Sequence, residues 1–202
     1  MDVTELIKTF VILVAVIDPI GNIPVYISLT ALKTDAEHKS IALKTSCTAV
    51  LLLAASFLLG KHIIAFFGIE MSAFKLIGGL FLVYISFTML SNTKSSHLFS
   101  EDNEDISLMP LTFPLFIGPA AISIVIIQSD EISNWTGKII SLFEFSLIGL
   151  LIWLTLRLSK IILNGLSKTG TKFIHQIMGL LLGSLAIGMI AEELKILLPG
   201  LS

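Results

Sequence analysis

Apolar residues fall in six long stretches separated by short polar ones, over about 6–32, 41–59, 74–90, 108–128, 138–158 and 173–197. Each is close to or above the roughly 20 residues that a helix needs to cross hydrocarbon. The stretches are apolar all round rather than striped, as expected of helices that face lipid as well as each other. The pattern predicts an all-α, polytopic membrane fold with six transmembrane helices. It is organised as a single domain over 1–202, with residues 1–91 and 108–202 as two halves and 92–107 as the loop between them.

Two of the stretches are interrupted in the middle. In the first, Asp18-Pro19-Ile20-Gly21-Asn22-Ile23-Pro24 places two prolines, a glycine, a carboxylate and a carboxamide halfway through a crossing. Proline lacks a backbone N–H and clashes with the carbonyl four residues earlier, so an unbroken helix is not expected here. In hydrocarbon, freed backbone groups and a carboxylate are tolerated only inside protein or against a water-filled cavity. The fourth stretch is broken in the same way by Pro110, Pro114 and Pro119.

Comparison of the chain with itself relates the two halves. A shift of 95 positions lays Pro19 on Pro114, Pro24 on Pro119, Ile27 on Ile122 and Ser28 on Ser123. A shift of 100 lays Ile77, Gly79, Leu80, Leu82 and Met89 on Ile177, Gly179, Leu180, Leu182 and Met189. Three crossings per half force the second copy to run in the opposite sense. The expected architecture is therefore two inverted three-helix repeats with broken helices 1 and 4, an arrangement common among secondary transporters.

In such a fold, the second pieces of the broken helices point their N-termini, with free N–H groups and a positive dipole end, toward a shared site. Pro24 and Pro119 suit the first turn of those pieces. Ser28 and Ser123 follow one turn later, as lining hydroxyls or as donors to their own i−4 carbonyls. Gly21 and Gly118 supply backbone freedom and close approach. Asn22 reads either as a substrate-orienting amide or as a turn residue. Asp18 has Phe113 in the equivalent place of the second half. A carboxylate in mid-crossing costs about 2.5–3.5 kcal/mol on insertion scales. Two compatible roles would account for it: a cap on the following piece, and a proton or cation site coupled to transport. Substrate-binding candidates are thus Asp18, Gly21, Asn22, Pro24, Ser28, Gly118, Pro119 and Ser123, with Asp18 as the proton-coupling residue.

The polar remainder adds little chemistry. Gly78, Gly79, Gly179, Gly183 and Gly188 read as surfaces for close helix packing. Glu144 is expected near the outer end of the fifth crossing, snorkelling to the interface, and Glu192 and Glu193 at the end of the sixth. The four histidines lie in loops or at segment ends, and no pair has zinc-ligand spacing. No phosphate loop or nucleophile elbow occurs, so neither an enzyme nor a cofactor is expected. Composition agrees with the class: 54% of residues are hydrophobic and 14% charged, too few charges to cover a soluble domain. A net charge of −2 without a basic cluster argues against a nucleic-acid partner. The expected partners are the bilayer and a small solute, and a homo-oligomer is left open.

Lysine and arginine set the orientation. Loops 1–2, 3–4 and 5–6 carry eight of them and the other side five, which favours both termini outside and the acidic 92–107 loop in the cytoplasm. The N-terminal segment carries Asp2 and Glu5 before Lys8, the wrong start for a signal peptide, so the first segment is expected to be retained.

Four stretches carry a resemblance: IDPIGNIPVYISLT (17–30), FKLIGGLFLVYISFTML (74–90), MPLTFPLFIGPAAISIVI (109–126) and IHQIMGLLLGSLAIGMIAEEL (174–194). Together they resemble the MarC family of bacterial and archaeal inner-membrane proteins over essentially the whole chain. Some members are described as small neutral amino acid transporters. The resemblance implies a multi-pass bacterial inner-membrane protein that moves glycine- or alanine-sized solutes with proton coupling. Asp18, Gly21, Asn22 and Pro24 match its first motif, and Pro114, Gly118, Pro119, Ile122 and Ser123 its second. Ala120 stands where relatives often have glycine, and Lys75 where they often have arginine. The first narrows the space at the second break, and the second weakens any bidentate contact.

Overall fold

The computed structural model describes residues 3–91, 107–165 and 168–198, and every regular element among them is helical. In chain order these are α1 (Val3–Ile17), α2 (Ile23–Leu29), α3 (Asp35–Phe66), α4 (Met71–Ser91), a wide π-helical segment π1 (Ser107–Phe116), α5 (Pro119–Glu131), α6 (Trp135–Arg157), α7 (Ser159–Gly165) and α8 (Lys168–Leu197). Helices α3, α4 and α6, and residues Gln176–Leu197 of α8, are long and apolar enough to cross a membrane, and Ile7–Ile17 of α1 forms a shorter apolar helix. The loop expected over 92–107 falls, apart from Ser107, outside the described residues.

Local signals explain the boundaries. Thr34 opens α3 with a capping box: its hydroxyl accepts the Glu37 N–H at 3.3 Å, and the Glu37 carboxylate accepts the Thr34 N–H at 2.7 Å. This starts the helix ahead of the apolar run. Helix α3 runs on past the apolar stretch 41–59, through Lys61 and His62 to Phe66, because nothing there breaks the ladder, and Lys61 meets the Asp130 carboxylate at 2.7 Å. The chain turns at Gly68, whose φ of 66° needs glycine. Gly68 N–H donates to Ala65 O at 3.0 Å and Ile69 N–H to Ile64 O at 3.1 Å, the paired bonds of a Schellman stop.

Both interruptions appear where the prolines lie: α1 stops at Ile17 and α2 starts at Ile23, while π1 stops at Phe116 and α5 starts at Pro119. In π1 the ladder is rewound, with Ile117 N–H reaching back five residues to Thr112 O at 2.8 Å. The short helix α7 lies just beyond the fifth apolar stretch, 138–158.

Packing pairs the elements. Helix α4 runs against α8, α3 against α6 and α5, π1 against α3, and α1 against α5. The first two pairs are antiparallel. Along α4–α8, Ser86 Oγ donates to Gly179 O at 2.7 Å and Lys75 approaches Glu193 at 3.8 Å. Along α3–α6, Phe57 stacks edge-on against Phe145 at 5.5 Å, while Lys160 of α7, just past the end of α6, meets Asp35 at 3.2 Å. The core is built from Leu13, Ile17, Leu53, Phe57, Phe116, Ile117, Phe145, Ile148 and Ile152. Glycines set the α4–α8 spacing: a Cβ on Gly179 would lie 2.8 Å from Met89 Cβ and 3.2 Å from Ser86 O. Small residues at crossing points let backbones approach, as in other membrane helix pairs.

Gly179→Val is therefore expected to destabilise the protein by about 1–3 kcal/mol through overpacking. Loss of the Ser86 hydroxyl in Ser86→Ala is expected to cost only about 0.6 kcal/mol. Unfolding of the purified protein in mixed detergent checks the order of the two effects. Equal stabilities would contradict the close-packed α4–α8 crossing.

Candidate functional site

The first break is a tight polar knot. Asp18 N–H closes the last turn of α1 on Val14 O at 2.9 Å, and the residue then takes a left-handed φ of 43°. Aspartate is among the few non-glycine residues that visit this region. Its Oδ1 accepts the Gly21 N–H, three residues on, at 3.1 Å. Asn22 Nδ2 donates to Ile17 O at 2.9 Å, satisfying a carbonyl that the helix end leaves open. Gly21 is required by close approach, since a Cβ there would sit 2.7 Å from Asp18 Cγ. Pro24 lies in the first turn of α2, where its missing N–H has no partner to lose. Asp18 and Asn22 are half-buried. Ser28 belongs to α2, and its side chain lies outside the described residues.

The second break is bare by comparison. Gly118 is the extended N-cap of α5, at φ −85° and ψ 177°, with no side-chain cap and Pro119 as the first helical residue. Ala120 and Ala121 follow, both fully buried. Ser123 Oγ donates to Pro119 O at 2.9 Å, and the residue packs against Gly78 of α4, where a Cβ would lie 3.1 Å from Ser123 Cβ. The hydroxyl thus serves its own helix. Pro114 falls within π1, and its side chain is outside the described residues.

The candidate residues therefore sit on two breaks carried by elements that pack together, α1 and α5. A cavity of about 270 Å³ lies elsewhere, where α2, α3, α6 and α7 converge, lined by Tyr26, Asp35, His38, Lys39, Arg157 and Lys160 among others. None of the eight candidates lines it. At its edge Tyr26 donates its hydroxyl to His38 O at 3.1 Å and lies 3.3 Å from His38 Nδ1. Among the described residues no group of three or more His, Cys, Asp or Glu side chains is placed to hold a metal ion.

One expectation is corrected. Glu144 does not snorkel: only 5% of its surface is exposed, and it accepts a 2.8 Å hydrogen bond from Gln128 Nε2 of α5. Glu193 is likewise buried, against Lys75, which also approaches Glu131. Hydropathy misses both because one acidic residue barely changes a window of leucines. The available signal was positional: Ser141 and Glu144 lie three residues apart on one face of α6, and Gln128 interrupts an apolar run.

A model of the MarC family of integral membrane proteins matches residues 3–198. The UPF0056 membrane protein of Buchnera aphidicola subsp. Schizaphis graminum is 36% identical over 200 residues, covering 96% of this chain and 93% of its own. UPF0056 membrane protein YvbG of Bacillus subtilis is 33% identical over 98% of this chain and 97% of its own, and YhcE of Escherichia coli is 32% identical over 96% and 94%. No solved structure matches the chain. With two proline-broken crossings, long apolar helices and a family match over nearly its whole length, the chain belongs to the MarC family of integral membrane proteins.

Proposed function

We propose that the protein is a secondary transporter of small solutes, built from two inverted three-helix repeats, with small neutral amino acids as substrates and a proton coupled through Asp18. The carrying observation is that the first crossing of each half breaks at its prolines, and that the two broken crossings pack together as α1 and α5. The pairing of α3 with α6 and of α4 with α8 supports the repeat, because each pair joins the corresponding helices of the two halves in opposite directions. At the start of α5 the buried Ala120 and Ala121 carry backbone N–H groups without a side-chain cap. Such groups suit a carboxylate such as that of an amino acid. The substrate class rests on the resemblance of the two proline motifs, and so does placement in a bacterial inner membrane. Both termini outside follows from the lysine and arginine bias.

A second reading, a passive channel or a membrane protein of non-transport function, is favoured by one observation. The Asp18 carboxylate holds the Gly21 N–H, a task that needs no proton traffic. Vesicles separate the readings. Reconstituted protein is expected to move labelled glycine or alanine above the level of empty vesicles, faster with an imposed pH gradient. Asp18→Asn keeps an acceptor for Gly21 and is expected to abolish the response to the gradient. No flux at all would sink the substrate assignment. An unchanged gradient response in Asp18→Asn would remove proton coupling through that residue.

A further inference from the structure

Between α5 and α6 lies a polar group that neither break uses. Glu144 is 5% exposed, Gln128 2%, and Ser141 is fully buried. Gln128 Nε2 donates to Glu144 Oε2 at 2.8 Å and to Ser141 Oγ at 3.3 Å. The other oxygens, Glu144 Oε1 and Gln128 Oε1, are both buried without a hydrogen-bond partner.

We propose that Glu144 is a proton-binding site in the interior of the bundle, with Gln128 as its partner in both protonation states. The geometry meets the requirements of each state. As a carboxylate, Glu144 accepts the amide N–H, the arrangement observed. As an acid, it has an O–H to donate, and a half-turn of the Gln128 amide brings the unpartnered Oε1 round to accept it. Binding adds one proton to a carboxylate oxygen, release returns it, and no other bond changes. A glutamine matches both forms; an arginine or lysine would hold only the charged one.

Among the described residues no cation forms an ion pair with Glu144. On α3, Lys61 lies one turn beyond the Phe57–Phe145 contact and is engaged by Asp130 of α5 at 2.7 Å. On α1, Lys8 is exposed. On α2, Tyr26 is turned to His38, and on α7, Lys160 meets Asp35. On α6 itself Lys138 lies over Trp135 and Arg157 is exposed in the last turn. A buried carboxylate with only amide and hydroxyl neighbours is poorly compensated, and taking up a proton relieves that. Ionisable groups inside membrane proteins are characteristic of proton relays.

This deepens the transport reading and rests on it only for what the proton drives. The test reads the proton directly, so absence of solute flux leaves it standing. Infrared difference spectra of the reconstituted full chain at neutral pH compare wild type with E144Q. The expected result is a protonated-carboxyl carbonyl band that E144Q removes and that shifts in D2O. A second variant, Q128L, keeps the acid but removes its acceptor, and is expected to move the same band to higher frequency even if E144Q fails to fold. A difference spectrum with carboxylate bands only, a band indifferent to D2O, or a band unmoved in Q128L would overturn the proposal.

Discussion

The constraint on which everything else depends is the absence of water to satisfy backbone polar groups in hydrocarbon. Long helices meet it internally, and α3, α4, α6 and α8 do so. The breaks cannot, and each resolves the problem differently. At Asp18–Asn22 side chains replace the missing ladder, with the carboxylate taking the Gly21 N–H and the carboxamide giving its N–H to Ile17 O. At Ile117–Gly118 the ladder is rewound by one residue before the break, and the new helix then starts without a cap. One break is closed by its own side chains and the other has no side-chain cap. That asymmetry parallels the sequence, where a shift of 95 positions lays Phe113 on Asp18.

Close packing is the second consequence. With no hydrophobic drive between helices in lipid, association relies on contact and on buried polar bonds. Gly78, Gly79 and Gly179 remove bulk where α4 meets α5 and α8, and Ser86 bridges to Gly179 O across the gap. Buried polar links recur elsewhere: Thr45 Oγ1 donates to Ser107 O between α3 and π1, and Gln128 meets Glu144 between α5 and α6. Each ties π1 or α5 to a neighbouring helix.

Much of this was legible in the chain because the strongest signals were proline, glycine and long apolar runs. Both breaks, the long apolar helices α3, α4, α6 and α8, and the close approaches at Gly78, Gly79 and Gly179 follow from residues with few conformational options, whereas Gly188, also read as a packing glycine, faces open space. Where options are wider, hydropathy alone misplaces residues. The second apolar stretch ends near residue 59, yet α3 continues through Lys61 and His62 to Phe66, with Lys61 paired to Asp130 of α5. Glu144 looked interfacial because of its place near a segment end, yet Gln128, sixteen residues earlier, gives it a buried partner. Helix α7 has no break signal or apolar length to announce it. Partners distant in sequence decide such cases, and hydropathy does not see them.

The proposed transport function requires that the two breaks flank a solute path that water reaches, while the paired helices around them stay closed. Amide hydrogen exchange of the reconstituted protein, resolved to single residues, tests this most directly. Fast exchange at Gly21, Asn22, Ala120 and Ala121, slowed by added glycine, against slow exchange through the middle of α4 and α8, is the expected result. Protection at the breaks equal to that of α4 and α8, and indifferent to solute, would contradict it.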